Sequence, residues 1–211
     1  MSPTRLVPLL EQFDWACERL TARMTGPVMD SGDGSRTGVG PMRDEEYFWE
    51  PVPDCWSVRR RADGPGRHAT SLAGAGDWGR DAAPHPHPSP PPFTTPAWRL
   101  SHLSEMLFLR ADHTVGTHRL TRDDHPVSTS AAEAVAAFGT GAKAWRNALL
   151  NIDDPALDTV GRCTYPHGSD AEEPFLDIVW WVNQEVLHHG AVIGLLRDLY
   201  RAKAPSGPAG T

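Results

Sequence analysis

A chain of 211 residues is long enough to bury one sizeable core. Its 20 basic and 27 acidic residues give a formal charge of −7, which makes it a poor electrostatic partner for nucleic acid or an anionic membrane surface. No apolar run approaches the roughly 18 residues of a membrane span, and three widely spaced cysteines (Cys17, Cys55, Cys163) form neither a disulfide framework nor an all-cysteine zinc site.

From the N-terminus, Arg5 to Met24 carries Leu6, Leu9, Leu10, Phe13, Cys17 and Leu20 at spacings of three and four, which predicts a first amphipathic helix. Glu11, Asp14 and Glu18 interrupt this segment, so it is not read as a signal peptide, and a cytoplasmic protein is expected. Between Thr25 and Ala97 lie 22 of the 39 glycines and prolines, which excludes a run of long helices there. This stretch holds a Gly-rich piece (Ser31 to Gly40), an aromatic piece (Tyr47 to Val58) and a Pro-rich piece (Pro84 to Pro92) with His85 and His87, expected to be extended and exposed.

Thr94-Thr95-Pro96 is a helix start, with a hydroxyl cap before a first-turn proline, and the second helix runs from Ala97 to about Val115. Ser130 ahead of Glu133 has the capping-box spacing and opens a third helix to Leu150, weakened by Gly139 and Gly141. Phe175 to Arg201 is the fourth and most apolar. No alternating strand is evident. The expected fold is therefore all-α: an antiparallel four-helix bundle in one domain, residues 1–203, with a long irregular crossover (about 25–96) between the first two helices and a disordered tail at 204–211.

Polar residues on the apolar faces carry the functional information. On the fourth helix Ile178, Trp181, Val182, Val192, Leu196 and Tyr200 share one side, and Glu185 and His189, one turn apart, point into its centre. His188 falls at the edge of the stripe, and Arg197 and Asp198 fall off it, as a surface ion pair or helix-end charges. On the second helix His102 sits among Trp98, Met106 and Leu109, with Glu105 on a neighbouring line. A carboxylate on a core face costs several kcal/mol unless its charge is compensated. Two imidazoles and a carboxylate suit a divalent ion such as zinc, nickel, iron or manganese, with positions left for water or substrate. The same spacing also suits side chains that simply hydrogen-bond to one another. His113, His118 and His125, near the end of the second helix, read as solvated, and nothing fixes the geometry of His68, His85, His87 or His167.

Several segments together resemble the DinB-like four-helix bundle superfamily. They are Tyr47-Phe-Trp-Glu-Pro-Val-Pro-Asp-Cys-Trp-Ser-Val58, Thr94-Thr-Pro-Ala-Trp-Arg-Leu-Ser-His102, Trp181-Val-Asn-Gln-Glu-Val-Leu-His-His189 and Leu195-Leu-Arg-Asp-Leu-Tyr200. The chain looks most like the actinobacterial branch that holds mycothiol-dependent maleylpyruvate isomerase and related thiol transferases. The resemblance implies a metal held by three side chains near one end of the bundle, at the positions of His102, Glu185 and His189. In thiol-using members the metal activates a low-molecular-weight thiol that attacks an electrophile. A departure is the run His189-Gly-Ala-Val192, where family members often have His-Gly-Ala-Glu.

The leading expectation is a metal-dependent enzyme that uses such a thiol, mycothiol by resemblance, for S-transfer, detoxification or isomerisation of a small electrophile. Arg59, Arg60 or Arg61 is a candidate for holding a carboxylate or the thiol's polar groups, against the alternative of a solvated basic turn. Trp49 and Trp56 are candidates for walling the site, with His188 beside it, and Cys55 reads as a small buried hydrophobe. Two other readings stay open: a hydrolase with a metal-bound water, and a non-catalytic small-molecule-binding or stress protein. The expected partners are a small-molecule substrate and a thiol, with no nucleic acid or membrane, and a bundle of this size is compatible with a homodimer.

Overall fold

The computed structural model describes residues 3–26, 29–30, 36–37, 40–84 and 88–203. Most of the Gly-rich piece, His85, His87 and the tail at 204–211 lie outside the described residues. Four long helices fall where the periodicity places them: α1 (Val7–Thr25), α3 (Pro96–Val115), α4 (Ala131–Ala148) and α6 (Phe175–Lys203). The short helices α2 (Asp44–Tyr47) and α5 (Asp154–Leu157) punctuate the connections.

Local chemistry sets the helix starts. Thr95 caps α3 by accepting the Trp98 N–H at 3.2 Å, ahead of Pro96. Ser130 caps α4 through the Glu133 N–H at 3.3 Å. The Glu133 carboxylate then reaches back to the Thr129 N–H (3.0 Å), one residue before the partner a capping box would use.

The long helices bury their apolar stripes against one another. α3 packs on α4 and α6, and α1 packs on α6 and α4. Phe13 and Leu20 of α1, Leu100 and Leu107 of α3, Phe138 and Trp145 of α4, and Phe175 and Val182 of α6 meet in one core. Gly141, rather than merely weakening α4, sits where a side chain would crowd α3. A Cβ there would lie 3.1 Å from the Ser104 carbonyl and 3.3 Å from Leu107, so the glycine lets α4 lie close on α3.

The all-α expectation is corrected by the region between α1 and α3. A two-residue antiparallel pair, β1 (Met29–Asp30) with β2 (Arg36–Thr37), follows α1. A three-stranded antiparallel sheet then forms from β3 (Val58–Arg60), β4 (Ser71–Ala73) and β5 (Trp78–Ala82), in the order β3-β5-β4. Strands of three to five residues are too short for alternation to show. β5 also buries Gly79, Arg80 and Asp81 in succession, so it has no polar face to read. Gly74, at φ +117°, lets the β4–β5 connection pass beside Val127, whose Cγ2 would lie 2.2 Å from an added Cβ.

Asp81 organises this sheet. Its fully buried carboxylate accepts the Ser57 N–H (2.8 Å), the Gly66 N–H (2.7 Å) and Arg59 Nε (2.9 Å). Trp56 joins the sheet region to the start of α3 by donating its N–H to the Phe93 carbonyl (2.8 Å) and accepting the Thr95 N–H (3.0 Å).

A second correction concerns Arg197, which is 1 % exposed and not on the surface. Its Nε donates to Glu46 Oε1 at 2.5 Å, and its Nη atoms reach Glu46 Oε2 and the carbonyls of Arg23 and Gly40. The pair clips α2 onto the end of α6, 151 residues away in sequence. His113 and His125 are also buried: His113 bonds Thr164 Oγ1 (3.2 Å) and the Leu120 carbonyl (2.8 Å), and His125 bonds Ser104 Oγ (3.2 Å). Glu46→Ala should strand a buried guanidinium and lower stability by about 3–5 kcal/mol, and Glu46→Leu combined with Arg197→Met should restore much of it. Urea unfolding of the three proteins checks this; a loss below about 1 kcal/mol in the single variant would show that the clip is dispensable.

Candidate functional site

Helices α3 and α6 bring His102, Glu185 and His189 together. Glu185 and His189 follow each other by one turn, and His102 faces them from the first half of α3. His102 Nε2 lies 3.0 Å and His189 Nε2 3.2 Å from the same oxygen, Glu185 Oε2. The two imidazole centroids are 4.7 Å apart. One donor atom from each of the three residues falls within 4.8 Å of the others.

The surroundings set the charge states. Burial pushes His102 down to about 4, more than its bond to Glu185 raises it, and burial likewise lowers His189. Burial alone would raise the Glu185 carboxyl, but the bonds from the two imidazoles outweigh it and hold the group well below the usual carboxylate range. Two neutral imidazoles thus face one carboxylate near neutral pH. That is the protonation state in which these groups ligate a cation, and the donor set fits zinc or a neighbouring divalent metal.

The sheet positions the triad. The Asp81 carbonyl accepts the Trp98 indole N–H at 2.8 Å, and Trp98 stacks on His102 with ring centroids 5.3 Å apart and planes at 21°. Arg80 of β5 lies over the Trp98 ring, 5.0 Å from its centroid, and donates to Glu105 at 2.7 Å. The Glu105 carboxylate, buried against Arg80 and Arg122, is held below its ordinary value because these cations outweigh the cost of burial.

The triad opens on a cavity of about 610 Å³. Trp56, Trp98 and Trp181 line it, as does the turn at 167–170. Its far wall carries Arg110, sandwiched between Tyr165 (4.4 Å) and Trp181 (4.1 Å) and paired with Asp170 at 3.0 Å. Arg99 lies beside the triad and donates to His189 Nδ1 at 2.8 Å.

Of the side chains proposed beyond the triad as wall or binding residues, Trp56 and His188 line this cavity, and Trp49, Arg59, Arg60 and Arg61 do not. Arg59 is bound to Asp81 and the Cys55 carbonyl, Arg60 lies over the Trp78 ring, and Arg61 donates to the carbonyls of Leu72, Gly74 and Gly76. The arginine run therefore braces the sheet from its surface, with Arg60 and Arg61 exposed, and none of the three lines the cavity. Trp49 packs edge-on against Tyr200 at 5.6 Å. Cys55 is buried, with its thiol on the Val52 carbonyl. The cavity residues that sequence reasoning passed over, Arg99 and Arg110, do carry a signal. With His102 and Met106 they form one line on α3 at spacings of three, four and four.

Among the described residues no helix is long and apolar enough to cross a membrane. No curated protein and no solved structure matches the chain in comparisons with either set. A family model described as the DinB superfamily matches residues 33–193, which span the sheet, the cavity and all three residues of the triad, and the chain belongs to that superfamily.

Proposed function

We propose that the protein is a metal-dependent enzyme that uses a low-molecular-weight thiol, mycothiol by the resemblance above, to modify a small electrophile. The observation that carries this reading is the convergence of His102, Glu185 and His189 on the wall of a cavity large enough for an organic molecule. In this reading residues 1–203 act as one domain, with the four long helices running antiparallel, in a cytoplasmic protein whose partners are the thiol and the electrophile.

His102, Glu185 and His189 would hold a divalent ion, zinc foremost, with nickel, iron and manganese as alternatives. A divalent ion at such a site lowers the pKa of a thiol ligand, so that the thiolate is available near neutral pH. Glu185 supplies the one negative charge of the set, and both imidazoles stay neutral because they are buried. Trp98 fixes the plane of the His102 ring. The indoles of Trp56, Trp98 and Trp181 make the cavity wall apolar, which suits the body of an organic electrophile and limits water.

Untagged protein should retain about one divalent ion per chain after dialysis against a weak chelator, by elemental analysis. His189→Ala should lose it while the far-UV circular dichroism stays helical. A fully loaded His189→Ala protein would overturn the ligand assignment. In a chelator competition, Glu185→Gln should weaken zinc binding by about 100-fold or more, against less than about 3-fold for His188→Ala, whose ring is exposed. Equal affinities would move the carboxylate out of the site. Consumption of an alkylating electrophile should require mycothiol and the loaded protein. Turnover by hydrolysis with no thiol present would replace this reading with that of a metal-dependent hydrolase.

A further inference from the structure

Of the three arginines that line the cavity, two face carboxylates, and Glu173 and Asp177 add further acidic groups to its wall. Arg110 faces Asp170 at 3.0 Å, and Arg122 faces Glu105 at 3.3 Å. Arg80, behind the wall, also bonds Glu105. Among the described residues Arg99 has no carboxylate within ion-pair distance, and Glu185 is the one whose charge reaches it. Its one hydrogen bond runs from Nη1 to His189 Nδ1, and its Nε is buried with no partner. The nearby Glu185 oxygen is already shared by two imidazoles. A guanidinium has five donors in a planar fork, and here a single neutral ring nitrogen accepts from it.

We infer that Arg99 is the residue with which the cavity recognises a carboxylate, and that the small molecule taken up beside the triad carries one. The planar fork matches a carboxylate through two parallel N–H···O bonds, which a neutral amide of the same shape cannot reproduce. Arg99 lies three residues before His102 on the same face of α3, so a carboxylate held there places the rest of the molecule between the triad and the indoles of Trp98 and Trp181. Cation binding at His189 Nε2 leaves the ring's one N–H on Nδ1, facing Arg99, and the guanidinium then needs a different acceptor. The inference names a substrate class for the proposed enzyme and in that sense rests on that reading, but carboxylate binding itself needs no metal.

The test uses benzoate and benzamide as probes, equal in shape and different in charge, titrated by calorimetry into metal-free and zinc-treated protein. Wild type should bind benzoate at least about 10-fold more tightly than benzamide in both forms, and Arg99→Gln should lose that preference with benzamide binding unchanged. Equal binding of the two probes by wild type, or a preference that survives in Arg99→Gln, would overturn the inference. If Arg99→Gln does not fold, arginine-selective labelling of wild type decides. Benzoate but not benzamide should shield Arg99 from the reagent, and equal labelling of Arg99 under both conditions would refute the role. The two proposals fail separately. A wild type that takes up no zinc but prefers benzoate removes the metal and keeps Arg99. One that takes up zinc and shows no preference does the reverse.

Discussion

A carboxylate on the inner face of a helix must find compensation before the helix can pack, and Glu185 sets that requirement for this protein. Its compensation comes from two imidazoles that reach the same oxygen, one from its own helix and one from α3. Much else follows from this. α3 has to lie against α6 with His102 turned inward, and Trp98 lies flat on that ring. The indole nitrogen of Trp98 then needs an acceptor of its own, which β5 provides from the Asp81 backbone. The small sheet is thus the outermost layer of support for the triad and not a separate decoration.

The same logic of paired burial recurs around the cavity. Arg80 and Arg122 meet Glu105, Arg110 meets Asp170, and Arg197 meets Glu46. In each case the partners come from different elements, and a buried group is tolerable only while its partner is present. These pairs tie the Gly/Pro-rich crossover and the turn at 167–170 to the helices, where short strands and loops alone would bury little apolar area. A cavity can persist between α3 and α6 because its walls are fixed from several directions.

The long helices were legible because their apolar residues recur every three or four positions over some twenty residues, and because Thr95 and Ser130 mark two of their starts. The triad was legible for a related reason: His102, Glu185 and His189 break an otherwise apolar face. What could not be read is the partnership of charges far apart in sequence. Arg197 looks like an ordinary surface residue until Glu46 is placed beside it. Arg80 and Asp81, adjacent in a short strand, have partners on different elements: Glu105 for Arg80, and Ser57 and Gly66 for Asp81. The run from Arg59 to Arg61 invites a binding role by its charge alone, whereas its donors are consumed by carbonyls, Asp81 and an aromatic face. Isolated charges carry no record of their partners, and periodicity in strands of three residues has no length over which to appear.

The sharing of one carboxylate oxygen by two helices also bears on how uniquely the helices pack. Apolar stripes tolerate sliding, since one leucine fills much the same space as the next along the ridge. The Glu185 contact does not. Moving α6 past α3 by a single residue turns Glu185 about 100° away from His102 and leaves a charged group in the core without a donor. The triad therefore acts as a register mark between α3 and α6, singling out one alignment from a family of nearly equal hydrophobic ones, and it does so whether or not an ion is bound.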